Sequence, residues 1–403
     1  MHSLKLLLPF AGLLFIAATP NAQNSSVTQI AQNNNAFAFE LYNQIILEEK
    51  GNVFFSPFSI STALAMTYAG ADSNTATEMQ KAMHFEKNKP MFHSAYGDYL
   101  QQLDQNAKGN IKWRVANKLW GDADYVFNAD YVDLLEEAYH SPLEKVNYVS
   151  APEWSRQEIN TWVADKTEQR IKDLIPEGSI TVDTKLVLTN AIYFKGDWLY
   201  KFDKKKTKEK KFVLADGNSI KTPFMHFEGA FHITQTENYK MIRLPYKGEK
   251  QSMIVVLPNK TDNLASIERA MNTSLFEPLY QEYLPHVELA LPKFKLTIPL
   301  GLNAPLQNLG IKTAFTNQAN FSKMSPSNNL MISDVVHKAF IEIDEEGTEA
   351  AAATAVVMVL TSTNQPAIKP LEFKADRPFL FYIIDDETKA ILFMGRLMEP
   401  LLD

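Results

Sequence analysis

Apolar residues near the start fall at helical spacing. Phe37, Leu41 and Ile45 recur on one face with Tyr42 and Ile46 beside them, and Gly51 follows as a stop, which predicts an amphipathic helix. In "SPFSISTALAMTYAG" Ser56 reads as a cap, Pro57 as the first helical residue and Gly70 as the end. Its apolar and small residues cover almost every face, so this helix is expected to be buried. "DSNTATEMQKAMHF" reads as a third helix, and Ile159, Trp162, Val163 and Ile171 mark another over about Glu153 to Leu174.

From Lys185 the pattern changes to strands. "KLVLTNAIYF" is apolar on both faces, and "YKMIRLPYKGEKQSMIVVLP" reads as a hairpin turned at Lys247-Gly248. "HVELALPKFKLTIPL" predicts a strand pair or one bent strand, and "HKAFIEID" a strand with Ala339, Ile341 and Ile343 on one side. "PFLFYIIDDETKAILFMGRL" predicts a hairpin turned at Asp385-Asp386. Helices crowd the first half and strands the second, which predicts an α+β fold with large mixed sheets.

The chain has 403 residues, 45% of them hydrophobic, enough for a large core. It shows neither a Pro/Ser-rich linker nor a repeat, so one large domain is expected. A net charge of −7 argues against a nucleic-acid partner. Lys5 followed by the apolar run Leu6–Ala18 and small residues reads as a secretory signal over residues 1–22, leaving a domain over 23–403. That run falls short of the roughly 20 residues of a spanning helix, and no other segment could span, so no membrane partner is expected. The absence of cysteine excludes disulfides, thiol catalysis and zinc–thiolate sites.

Catalytic motifs are missing. There is no Gly-x-Ser-x-Gly elbow, His-Glu-x-x-His, Gly-x-Gly-x-x-Gly or phosphate loop, and the eight histidines are scattered. No cofactor or metal is expected, and an enzyme is a remote reading. The lysine run "KFDKKKTKEKKF", Lys201 to Phe212, could be a partner patch, but without interleaved aromatics it reads better as a solvated loop or strand edge. His337, just before a strand, reads as a satisfied core histidine. Ser56, Ser59 and Asn190 sit in apolar stretches, so they need buried partners, and a shared hydrogen-bond network is plausible.

One segment fits neither regular structure. "DEEGTEAAAATAVVMVLTS", Asp344 to Ser362, joins four alanines, which favour helix, to the strand-favouring run Ala355–Leu360.

Five stretches together carry a likeness: "NVFFSPFSISTALAMTYAGA" (52–71), "LTNAIYFKGDW" (188–198), "HKAFIEIDEEGTEAAAATA" (337–355), "DRPFLFYI" (376–383) and "FMGRLMEP" (393–400). In that order they resemble the serpins, over about Val27 to the C-terminus. The resemblance implies three β-sheets, eight or nine helices and an exposed reactive-centre loop over about 347–370. It implies a suicide-substrate mechanism: a protease cuts the loop and is held as an acyl-enzyme while the loop inserts into the main sheet. The implied partner is a serine protease in a covalent complex, with cysteine proteases as a further class and the inhibitor itself a monomer. The native state would be metastable, and the protein secreted, extracellular or periplasmic. A non-inhibitory carrier or chaperone is the alternative, and a hydrolase a remote one.

The resemblance also assigns residues. Glu345, Glu346, Gly347, Thr348, Glu349, Ala350, Ala351, Ala352, Ala353 and Thr354 match the hinge. Ser56, Ser59, Asn190 and His337 match the shutter beneath the opening sheet, and Trp198 the breach where the loop enters. Family spacing, counted from Gly347, places the reactive bond at Thr361–Ser362, with Leu360–Thr361 the runner-up. The residues fit this independently. With period-two alternation, one face carries Thr348, Ala350, Ala352, Thr354, Val356 and Met358 without a charge. Gly347 supplies a pivot. No Lys or Arg lies between Gly347 and Ile368, so elastase-like, subtilisin-like or chymotrypsin-like proteases are expected rather than trypsin-like ones. Nothing matches a polyanion-binding helix.

Overall fold

The computed structural model describes residues 20–348 and 369–402, except 88–89, 108–110, 281–283 and 328, with only the backbone for 20–25. The expected signal, the hinge residues Glu349 to Thr354 and both candidate reactive bonds among Leu360, Thr361 and Ser362 lie wholly or mostly outside the described residues.

Eight helices are described: α1 (Pro20–Glu48), α2 (Pro57–Ala69), α3 (Ser73–Ala82), α4 (Pro90–Ala107), α5 (Ala129–Tyr139), α6 (Pro152–Lys166), α7 (Leu264–Ala270) and α8 (Asn303–Asn308). The first eight strands are β1 (Val53–Phe55), β2 (Ile111–Asp122), β3 (Glu144–Val146), β4 (Leu186–Asp197), β5 (Lys208–Val213), β6 (Ser219–Ala230), β7 (His232–Gln235) and β8 (Tyr239–Pro245). The others are β9 (Gln251–Pro258), β10 (His286–Pro292), β11 (Phe294–Gly301), β12 (Val335–Ile343), β13 (Gly347–Thr348), β14 (Leu371–Lys374), β15 (Phe379–Asp385) and β16 (Ile391–Leu397). The fold is α+β, with helices early and strands late, as the pattern predicts.

The strands form three sheets: β1-β16-β15-β9-β8-β7, β14-β10-β6-β5, and a central sheet β11-β12-β4-β2-β3 with β13 joined to β4. "HVELALPKFKLTIPL" forms two strands, not one bent strand, and the two do not pair with each other. β10 and β11 part at Lys293 and enter different sheets. β5 is the edge of its sheet and exposes Lys208, Lys210 and Lys211, as a lysine-protected edge should.

α2 is buried along its whole length, as its all-round apolar pattern predicts. The Ser56 side chain caps it by accepting from the Ser59 N–H at 3.1 Å. The helix packs between the central sheet and β16, and so sets its first turn beneath β4 and β12. On the opposite face of the sheet, α6 seats Ile159 and Val163 on Ala116, Trp120, Ala191, Tyr193 and Phe340. This helix is shorter than expected. It ends at Lys166, where the Thr167 hydroxyl donates to the Val163 carbonyl and Glu168 and Gln169 adopt positive φ of 51° and 63°.

Candidate functional site

β4 and β12 are parallel neighbours in the central sheet, paired from Leu188–Val335 to Tyr193–Phe340. Beyond Tyr193 the partner of β4 changes. Gly196 and Asp197 pair antiparallel with Thr348 and Gly347 instead. The chain thus leaves β12, reverses, and begins a new strand beside β4. The central sheet is a fork: closed between β4 and β12 below, and started by β13 above.

The reversal is tightly held. The Asp344 N–H donates to the Gly347 carbonyl at 2.9 Å, and the Asp344 carboxylate accepts from the N–H groups of Glu346 and Gly347. Gly347 has φ +150°, and a Cβ there would lie 2.1 Å from the Gly196 carbonyl oxygen, so only glycine fits. The Trp198 indole N–H donates to the Asp344 carbonyl at 3.0 Å, and its backbone N–H to Glu346. Its ring stacks on Tyr246 at 4.7 Å between centroids. The Tyr246 hydroxyl lies 3.0 Å from the Thr348 hydroxyl, and Thr348 is fully buried.

Two glutamates anchor the turn from outside. Glu345 meets Lys293 at 2.8 Å and accepts from the Thr207 hydroxyl. Burial works to raise its carboxyl, but Lys293 and Thr207 prevail and hold it below the usual range. Glu346 is gripped by Lys201 at 2.7 Å and Lys204 at 3.0 Å. The Lys201 hydrogen bond leads in lowering its carboxyl. The lysine run is therefore divided: two members hold the turn, while Lys205, Lys206, Lys208, Lys210 and Lys211 are exposed.

Lower down, beneath the closed β4–β12 pair, lies one polar network. His337 sits inside β12, not before it, and is fully buried. Its Nε2 accepts from the Ser56 N–H at 3.1 Å. Nδ1 therefore carries the ring proton and donates to the Asn190 side-chain oxygen, which fixes the neutral tautomer. The Asn190 amide nitrogen donates to the Ser59 carbonyl at 2.8 Å and the Asn117 oxygen at 2.7 Å. The Ser59 hydroxyl also donates to Asn117, at 3.1 Å, and Ser56 Oγ to the Leu392 carbonyl at 2.6 Å. Ser56, Ser59, Asn190 and His337 are thus brought together, tying α2 to both strands. Asn117 on β2 completes the set and was not singled out from sequence, nor were Tyr246, Lys293 and Asp344.

Burial pulls the His337 imidazole down from an ordinary 6.5 to about 3. The unfolded chain then binds a proton between those values that the folded chain refuses. Stability should fall as pH drops from about 6.5 toward about 3, by up to about 1.4 kcal/mol per pH unit from this group. His93, also lowered by burial, to about 4, acts in the same direction. Urea midpoints of wild type and His337→Gln from pH 7.5 to 5 isolate the His337 share. Parallel pH profiles for the two would contradict it.

Among the described residues no cluster of three or more His, Cys, Asp or Glu side chains could hold a metal. The arrangement is mechanical: a closed seam, a polar lock behind it, and a strand started at its open end.

Comparison with known proteins agrees with this geometry. A family model described as "Serpin (serine protease inhibitor)" matches residues 32–400. Human serpin B3 is 37% identical over 93% of this chain and 100% of its own. An uncharacterised serpin-like protein of Methanosarcina acetivorans is 38% identical over 96% of this chain and 92% of its own. The structure of human thyroxine-binding globulin superposes with a TM-score of 0.83 at 26% identity, covering 94% of this chain and all of that one.

Proposed function

Because the chain belongs to the serpin family, we propose that it is a secreted suicide-substrate inhibitor of serine proteases with small or apolar specificity. The observation that carries this reading is the fork. β13 lies antiparallel to β4 at the open end of the β4–β12 seam, so continuing it by period two would lead the uncharged face of 348–358 into the sheet. The target protease attacks Thr361–Ser362 and forms an acyl-enzyme. Insertion of the freed segment between β4 and β12 carries the protease with it and halts deacylation. Gly347 is the pivot, Glu345 and Glu346 fix the turn, and Ser56, Ser59, Asn190 and His337 control separation of the strands. Residues 1–22 act as the export signal. None of these residues is catalytic.

The test is incubation with elastase-like, subtilisin-like, chymotrypsin-like and trypsin-like proteases. At least one of the first three should give a band that survives boiling in detergent, with a released peptide beginning at Ser362 or Thr361. If every protease that cuts the chain stays fully active, the carrier or chaperone reading replaces this one. A peptide beginning beyond Pro366 would overturn the bond assignment.

A further inference from the structure

On the outer side of α6 lies a groove of about 630 Å³ that the inhibitor reading leaves unused. Its walls include three indoles. Trp154 and Trp162 stand two helical turns apart on α6, and Trp120 reaches up from β2. Trp120 and Trp162 meet edge to face, with centroids 5.3 Å apart. Trp154 is 69% exposed, a large apolar area for the chain to leave open. Around these rings stand Glu144, Glu158 and Asp165, and the lining holds no lysine or arginine. Glu144 on β3 is the direct strand neighbour of Trp120. Glu158 lies midway between the two α6 tryptophans.

The ring pair already receives two cations, for Lys166 places its ammonium 6.0 Å from the Trp162 centroid. Lys118 places its ammonium 5.1 Å from the Trp120 centroid and 4.8 Å from that of Trp162, and pairs with Glu144 at 3.2 Å. Lys118 lines the neighbouring groove, as Trp162 also does. Glu158 and Asp165 have no ion-pair partner among the described residues; Asp165 accepts only a hydrogen bond from Gln169. Trp120 is only 2% exposed and Trp162 already faces Lys118 and Lys166, so the open face is that of Trp154. An electron-rich indole face beside uncompensated carboxylates attracts a cation with an apolar coat, since a bare metal ion would give up too much hydration to reach the ring.

We infer that the Trp120–Trp154–Trp162 groove is a binding site for a small organic ammonium cation of the alkylated kind. The ligand stacks against Trp154 and is countered by Glu158 and Asp165 of α6 and by Glu144 of β3. Occupancy bridges α6 to β3. Because α6 also packs on Tyr193 of β4 and Phe340 of β12, a bridged α6 resists separation of the seam. This second consequence rests on the inhibitor reading; the binding itself does not.

Choline chloride is the probe, and its neutral isostere 3,3-dimethylbutan-1-ol the control, both titrated by calorimetry against the full chain. Choline should saturate one site and bind at least about tenfold more tightly than the alcohol. Trp154→Ala, at an exposed position, should weaken choline by about tenfold or more while melting as wild type does, and Glu158→Gln with Asp165→Asn should weaken it severalfold. No saturable binding, equal binding of the alcohol, or unchanged affinity in Trp154→Ala would overturn the site. Choline should also slow covalent trapping of a susceptible protease by wild type but not by Trp154→Ala. Binding without that slowing would overturn the bridge to the seam and leave the site standing. Absence of any trapping, with binding intact, would count against the inhibitor reading alone.

Discussion

Cutting the chain at Thr361–Ser362 is expected to raise its melting temperature by on the order of 10 °C. At present β4 and β12 share one ladder, from Leu188–Val335 to Tyr193–Phe340. A strand entering between them replaces that ladder with two. The net gain is roughly ten backbone hydrogen bonds at about 1 kcal/mol each, with burial of Val356 and Met358 in addition. For a chain of this length the melting entropy is about 0.8 kcal/mol per kelvin, which converts that gain to a shift of about that size. Calorimetry of cut and uncut protein measures it. Unchanged melting after a clean cut would mean that the segment stays outside the sheet.

On the proposed mechanism, Thr348→Arg should turn the chain from an inhibitor into a substrate. Thr348 is fully buried, with its hydroxyl against Tyr246 and Tyr246 stacked on Trp198. A guanidinium here finds no carboxylate in those contacts, and an unpaired buried cation costs roughly several kcal/mol. In the proposed mechanism insertion competes with deacylation, and each factor of ten in that race needs only about 1.4 kcal/mol of barrier. The yield of covalent complex should therefore fall by about a hundredfold or more, with cleavage at the same bond and a similar rate. Glu349→Arg, on the opposite face by strand alternation, should matter far less. Because Thr348 is already inside the uncut molecule, the arginine variant should also lose the β13–β4 contact and melt earlier before any cut. Equal trapping by wild type and Thr348→Arg would contradict the entry path.

Much of this was readable along the chain because local pattern and tertiary role coincide. The cap at Ser56, the all-round apolar face of α2 and the strand run of β4 each point to one structure. Ser56, Ser59, Asn190 and His337 stand out because a polar group in an apolar run must find a partner. Asn117 does not, since β2 alternates exposed and half-buried positions through Trp113 and Arg114 and a polar residue there looks ordinary. The lysine run hides its structural members for a similar reason: nothing in "KFDKKKTKEKKF" marks Lys201 and Lys204 as the two that reach Glu346, 145 residues away for Lys201. The parting of β10 and β11 at Lys293 is likewise a tertiary choice, made without a Gly or an Asn turn. The end of α6 follows from backbone angles at Glu168 and Gln169 that neither residue type advertises.

The central claim is that β4 and β12 must separate for inhibition to occur, and a reversible lock across them tests it most directly. Ala191 and Lys338 are direct neighbours in the parallel register, on the face toward α6. Adjacent strands lie about 4.8 Å apart, within disulfide reach. The chain has no cysteine of its own, so Ala191→Cys with Lys338→Cys gives a single possible bond. Trapping of a susceptible protease is measured by denaturing gel with the lock oxidised, then reduced. The oxidised protein should be cut without forming a covalent complex, and reduction should restore the complex. Equal trapping in both states would show that the strands need not part, and the account would be wrong.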